Sequence, residues 1–273
     1  MRPFVTKRAL LFTAVLLVGA ATAGAQIYGR SPQQGFRGDD RGQARVVAPN
    51  GLDPHSFYFT RARYSGGGRG FRRGDSWATD YPKADLQLLT VLTRLSNIDA
   101  YSRDNAVDLD DPNLRRYPFL YALEVGSMSL RPEEIQGLRD YLLSGGFLMI
   151  DDFWGEYQWM NFEENIRAVL PEYDIVELST DHPIFSAMYD IDEIIQVPNV
   201  QNGVSGWGTS EQGGIVPHVR GISDENGRLM VMINWNTDIG DAWEHAEVAA
   251  YPLKYSTYAF QITTNAIVYA MTH

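Results

Sequence analysis

The chain has no cysteine among its 273 residues. That excludes disulfides, thiolate metal sites, every cysteine-nucleophile mechanism and a lipid anchor carried on cysteine. Positive charge is also scarce: 23 Lys and Arg stand against 34 Asp and Glu, a formal charge of −11. Discounting three cations near the N-terminus (Arg2, Lys7 and Arg8) leaves −14 (−11 − 3). Such a chain suits nucleic acid poorly, because phosphates are neutralised by Lys and Arg. After the N-terminal segment no run is long and apolar enough to span a bilayer, so no integral membrane span is expected after processing. The G-x-S-x-G elbow, H-E-x-x-H and G-x-x-x-x-G-K-[ST] are all missing. Nothing identifies a nucleotide cofactor, and the expectation is of no cofactor and no metal.

The first 25 residues have the layout of a signal peptide. Arg2, Lys7 and Arg8 form a positive start, Ala9 to about Ala23 is apolar and uncharged, and Ala23-Gly24-Ala25 offers the small-x-small pattern of a cleavage site. The rival reading, a retained anchor, meets a run shorter than the ~20 apolar residues a spanning helix needs. The expected location is periplasmic or extracellular. Residues 26–55 are rich in Gly, Gln, Arg, Pro and Asp without apolar periodicity, and read as a flexible linker. A single domain is expected over residues 56–273, and 44% hydrophobic and 12% aromatic content is enough for a substantial core.

Within that domain, strand and helix patterns alternate. Phe57–Tyr64 alternates apolar and polar residues like a strand, and a glycine-rich loop with Arg69, Arg72 and Arg73 follows. That loop could cradle an anion, although it fits no phosphate-binding fingerprint. A helix opens near Asp80 with Leu88, Val91, Leu92, Leu95 and Ile98 on one side. Phe119–Leu123 suits a strand buried on both faces. Pro132-Glu133-Glu134 starts a helix that Gly145-Gly146 ends, directly before strand Phe147–Ile150. Met160–Leu170 and Ile184–Met188 read as helices, Ile175–Leu178 and Leu229–Ile233 as strands, and Leu253–Met271 as a long closing helix. Residues 199–214 are glycine-rich and irregular, the length of a functional loop. The alternation predicts an α/β fold, a mostly parallel sheet with helices on both faces.

Ligands of such sheets bind beyond the carboxyl ends of the strands. Three segments attract attention there. Asp151, Asp152, Trp154 and Glu156 leave strand Phe147–Ile150, and adjacent acids at the end of an apolar strand are costly without partners or a ligand. Strand alternation turns only one of Asp151 and Asp152 toward a given side. Capping of the next helix, or pairing with an internal Arg, would also account for them. Asn234, Asn236, Asp238, Asp241, Trp243 and Glu244 leave strand Leu229–Ile233. Their amides and acids beside Trp rings suit sugar hydroxyls and the apolar face of a pyranose. The same segment could ligate Ca²⁺ or Mg²⁺ through oxygen, or simply be a hydrogen-bonded turn. His182, before Pro183, could act as a general base oriented by Asp181, or cap a turn.

Five ordered motifs resemble the bacterial domain-of-unknown-function family 4159. They are Trp77–Asp85, Gly145–Glu156, Asp181–Phe185, Asn236–Asp241 and Ile267–His273, so the resemblance covers roughly Phe57 to the C-terminus. It implies the class I glutamine-amidotransferase-like fold, a flavodoxin-like three-layer architecture. More distantly the chain is similar to trehalose-utilisation-type proteins, through its Gly-Gly strand, its His-Pro-Ile segment with Asp192-Glu193, and Gly227-Arg228. In amidotransferases of this fold the nucleophilic cysteine occupies the elbow after the strand equivalent to Phe147–Ile150. Here that elbow reads Asp151-Asp152-Phe153-Trp154, so amide transfer from glutamine is ruled out.

Two functions follow as expectations. The first is a non-catalytic module that binds a small molecule, a carbohydrate, a cell-envelope component or a protein partner there. The second is a carboxylate-dependent hydrolase, with glycosides as the candidate substrate and Asp152 paired to an acid such as Glu244, or with His182 as base. A catalytic pair calls for an acid of raised pKa in a cleft; a binding module calls for ionised acids beside exposed aromatics.

Overall fold

Seven strands form one sheet. They are β1 (Thr60–Arg63), β2 (Ala106–Asp108), β3 (Phe119–Leu123), β4 (Phe147–Asp151), β5 (Val176–Glu177), β6 (His218–Ser223) and β7 (Leu229–Trp235), in the order β2-β1-β3-β4-β7-β6-β5. This computed structural model describes residues 57–66 and 76–273. The signal-peptide and linker readings, and the anion-cradle reading of Arg69, Arg72 and Arg73, lie outside the described residues.

Strands β2, β1, β3, β4 and β7 are parallel, and β6 runs antiparallel to both β7 and β5. The described residues form six helices: α1 (Lys83–Leu95), α2 (Pro132–Leu143), α3 (Gly155–Val169), α4 (Val200–Ser205), α5 (Ile239–Glu244) and α6 (Leu253–Thr272). Strand alternation sorts the core into two layers. Phe119, Tyr121, Phe147, Met149 and Met232 pack on α1, α5 and α6. Leu120, Leu148, Ile150, Val231 and Ile233 pack on α2 and α3. The expected α/β three-layer architecture is therefore the observed one. No helix among the described residues is long and apolar enough to cross a membrane.

The differences from expectation are local. The first strand is shorter than Phe57–Tyr64, because Phe57 makes only an isolated bridge to Ala100. The third helix begins at Gly155, five residues early, since the polar Glu156-Tyr157-Gln158 turn precedes its apolar stripe. The segment expected as helix Ile184–Met188 is a single 3-10 turn, Pro183–Phe185. Residues 199–214 include the short helix α4, capped by Asn199, whose side chain accepts from the Asn202 amide at 2.8 Å.

The strand order places a switch between β1 and β3. The chain leaves β1 for β2 on one side and later returns to β3 on the other, so the loops after β1 and β3 diverge at the carboxyl edge. The loops after β4 and β7 emerge at the same edge, because those strands are parallel neighbours.

Candidate functional site

An acidic site occupies that carboxyl edge. Four of the five parallel strands, β1, β3, β4 and β7, are followed by a carboxylate of this site. Asp80 comes from the turn before α1, Glu124 directly follows β3, Asp152 follows β4, and Asp238, Asp241 and Glu244 follow β7. Glu211, from the loop after α4, joins them: it accepts from the Asn199 side chain at 2.6 Å and is coupled electrostatically to Glu124 and Asp241.

The backbone here is unusual. Five described non-glycine residues have positive φ: Asp80 (59°), Glu124 (53°), Asp152 (50°), Gln212 (44°) and Asn236 (62°). The left-handed region costs a residue with a Cβ roughly 1–2 kcal/mol, and such residues concentrate at functional sites. Three are themselves in the acid set or supply its acids. Asn236 and Gln212 hold the loops around it: Asn236 Oδ1 accepts from the Gly155 amide at 2.8 Å, its Nδ2 donates to the Val216 carbonyl at 2.7 Å, and Gln212 accepts from Gln158 at 2.9 Å. Gly155 is required at the crossing, since its φ is +67° and a Cβ would lie 2.4 Å from the Gln212 carbonyl oxygen.

The acids raise one another's pKa. Burial first, and then Asp241, lift the Asp80 carboxyl to about 8. Burial and then Glu211 lift Glu124 to about 7. Asp152 is held well above the ordinary range by burial, then by Glu124 and Asp151. Asp238 is raised in the same way by burial, then by Asp152 and Asp241. Among the described residues the nearby cations are already engaged. Arg61 is paired with Asp85 and Lys83 with Glu247 at 3.3 Å, while His245 lies 3.6 Å from both Asp241 and Glu244. Carboxylate oxygens of Asp80, Asp238 and Asp241 lie within 4.8 Å of one another, a set able to hold a hard cation. Asp241, Glu244 and His245 form a second such group.

The residues singled out in the sequence separate into four groups. Asp152, Asp238, Asp241 and Glu244 come together, although more than 75 positions separate the two segments. Asp151 and Asn234 point into the core: Asp151 accepts from Tyr121 and from the head of α5, and Asn234 donates to the Ile150 carbonyl. Asn236 and Trp154 are supports, with the Trp154 Nε1 donating to Asp152 at 3.0 Å. Trp154 and Trp243 are 2% and 0% exposed, so neither presents a ring face to a ligand. Glu156 is exposed on the first turn of α3. His182 does not share this edge. Its ring lies 6.1 Å from that of Tyr269, whose hydroxyl takes the Leu229 amide at the start of β7, so it sits toward the amino edge. There its Nδ1 accepts from the Ile184 amide at 3.2 Å, a capping role.

Sequence reasoning passed over Asp80, Glu124 and Glu211. Glu124 could have been found, because it is the first residue after the apolar run Phe119–Leu123 and the carboxyl-end rule applies to it as it does to Asp152. Asp80 was read only as the opening of a helix, and Glu211 carries no local signal.

Residues 59–271 match the family described as domain of unknown function DUF4159. The chain belongs to that family. No curated protein is a significant match. The DUF4159 match spans every element that delivers an acid to the site.

Proposed function

We propose that this DUF4159 domain is an exported ligand-binding module of the cell envelope, and that its acidic edge takes a carbohydrate or other envelope component bearing a cationic group. One observation carries the reading: seven carboxyl groups converge at the strand ends while, among the described residues, the Arg and Lys side chains beside them are already paired. Burial and mutual repulsion hold these carboxyls protonated toward neutrality, so a ligand ammonium or a bound cation would displace protons and supply the positive charge the cluster favours. The buried Trp rings favour recognition through charge and hydrogen bonds over stacking. We also propose the glutamine-amidotransferase-like relationship, with Asp152 in place of the nucleophile; its left-handed backbone at a strand-to-helix elbow supports it. The trehalose-utilisation likeness belongs to the same proposal.

A thermal-shift screen of the protein tests the reading. Amino sugars, amines and divalent cations should raise the melting temperature, and neutral sugars should not. Asp152→Asn should remove the response and keep the fold. An equal response to neutral and cationic sugars sinks the charge argument. Export is checked separately: mass spectrometry of secreted material should find Gln26 at the N-terminus. The hydrolase reading is favoured by one feature, the carboxyls of Asp80 and Glu124 lifted to about 8 and about 7, where an acid can hold a proton near neutrality. Turnover of glycosides that Glu124→Gln abolishes would establish it.

A further inference from the structure

Asp151 makes all its side-chain hydrogen bonds through one oxygen. Oδ2 accepts from the Tyr121 hydroxyl at 2.9 Å and from the amides of Ile239 and Gly240 at 2.8 and 3.0 Å. Among the described residues Oδ1 has no partner, although the residue is fully buried. On the adjacent strand Asn234, also fully buried, is in a matching position. Its Nδ2 donates to the Ile150 carbonyl at 2.9 Å, and its Oδ1 accepts from no described residue. Ile150 and Ile233 are partners in register, so Asp151 and Asn234 are the next positions along two parallel neighbours. Alternation turns both toward the α1, α5 and α6 layer.

Two buried acceptors without donors carry a desolvation cost. An ionised carboxylate offers two equivalent acceptors. A carboxylic acid has one oxygen that accepts and one that donates, and three donors on Oδ2 with none on Oδ1 is that division. Exchanging the Asn234 amide atoms is no remedy, since its oxygen would then face the Ile150 carbonyl.

We propose that Asp151 is a neutral carboxylic acid whose Oδ1 proton is donated to Asn234 Oδ1, and that it acts as a positioning residue, pinning the first turn of α5 and with it the site acids Asp238 and Asp241. Its surroundings agree. Asp152 follows it in the chain, Asp238 heads α5, Tyr251 precedes α6 and Tyr258 lies on α6, all electrostatically coupled to Asp151. On the β1 and α1 side, Arg61 is spoken for by Asp85. Burial lifts the Asp151 carboxyl to about 7 against the pull of its hydrogen bonds. A group raised in the folded state stabilises most fully at low pH, and loses that contribution as pH rises through its folded value. Alkaline pH therefore puts an anion opposite an acceptor and loosens the head of α5.

Asp151→Asn tests this, because an amide reproduces the neutral acid: Oδ1 takes the three donors and Nδ2 donates to Asn234. The variant should fold, come level with the wild-type melting temperature only near pH 4, where the unfolded Asp is also neutral, and melt above it at pH 8.5. In ¹³C-labelled wild-type protein the Asp151 carboxyl carbon should report a neutral acid at pH 5.5. A variant that is unfolded, less stable than wild type at both pH values, or equal to it at both overturns the proposal. So does an ionised carboxyl signal at pH 5.5, the result expected if a water molecule bridged the two oxygens.

Discussion

Removing the Arg61 guanidinium tests how the acidic edge is attached to the core. Arg61 on β1 and Asp85 on α1 are both fully shielded from water, and meet through contacts of 2.7, 2.8 and 3.1 Å. Arg61 also donates to the carbonyls of Trp77, at 3.1 Å, and Thr79. Those bonds fix the turn that presents Asp80. Burial alone would lower the Arg61 pKa; Asp85 more than offsets this and holds it above its ordinary value. Taking one partner from a buried pair costs about 3–5 kcal/mol, because the other charge is stranded. In a domain of this size each kcal/mol moves the melting point by about 2–4 °C. Arg61→Met should therefore lower it by roughly 6–20 °C. The deficit should also depend on pH. Without Arg61 the Asp85 carboxyl is left to burial, so its folded pKa rises further above the unfolded one. Stability tied to a raised group is present at low pH and lost as pH climbs, so the deficit shrinks toward pH 5 and grows toward pH 8. Denaturant melts of wild type, Arg61→Met, Asp85→Leu and the double variant at those pH values give the answer. The double variant should recover part of the loss, because no carboxylate is left stranded. A deficit below about 1 kcal/mol, or one that does not change with pH, would refute the reasoning.

Other outcomes follow from the same structure. Leu148→Ala, which empties a 2%-exposed position between β4 and the α2–α3 layer, should cost about 2–5 kcal/mol in urea unfolding. Gly155→Ala drives a Cβ into the Gln212 carbonyl at a positive φ, so it should destabilise the fold and weaken any ligand response together. Glu124→Gln removes a carboxyl that burial and Glu211 lift to about 7. Since a raised acid withdraws stability as pH increases, the variant should melt above wild type at pH 8 and level with it at pH 5. Failure of that crossover would mean Glu124 is solvated in the native state.

The sheet was legible because its signals are local. Phe119–Leu123, Phe147–Ile150 and Leu229–Ile233 are apolar runs that only a strand covered on both sides accommodates, and Gly145-Gly146 marks where a helix must stop. Strands β2 and β6 were missed for a reason equally local. Ala106-Val107-Asp108 is three residues long, and His218-Val219-Arg220-Gly221 alternates polar side chains that find partners only across the sheet. Arg220 lies over the Trp159 and Trp235 rings at 4.2 and 4.6 Å, and its Nε donates to Glu177 at 3.0 Å.

The site was half legible, and the missing half is instructive. The rule that ligands gather at strand ends located Asp152, Asp238, Asp241 and Glu244 without any knowledge of strand order. It misplaced His182 because β5 is only two residues long and the chain beyond it turns back toward the start of β7. What no local pattern could supply is charge bookkeeping. Asp85 and Asp80 are five residues apart in one helix opening, yet Asp85 is neutralised by Arg61 and Asp80 is left among acids. Asp151 and Asp152 are adjacent, yet Tyr121 and the head of α5 hold one in the core while the left-handed turn swings the other out to Glu124. Whether a carboxylate is structural or available to a ligand is decided by which cation or amide the fold brings to it from 20 to 90 residues away. In this chain that pairing separates Asp85 and Asp151, which serve the core, from Asp80 and Asp152, which serve the site.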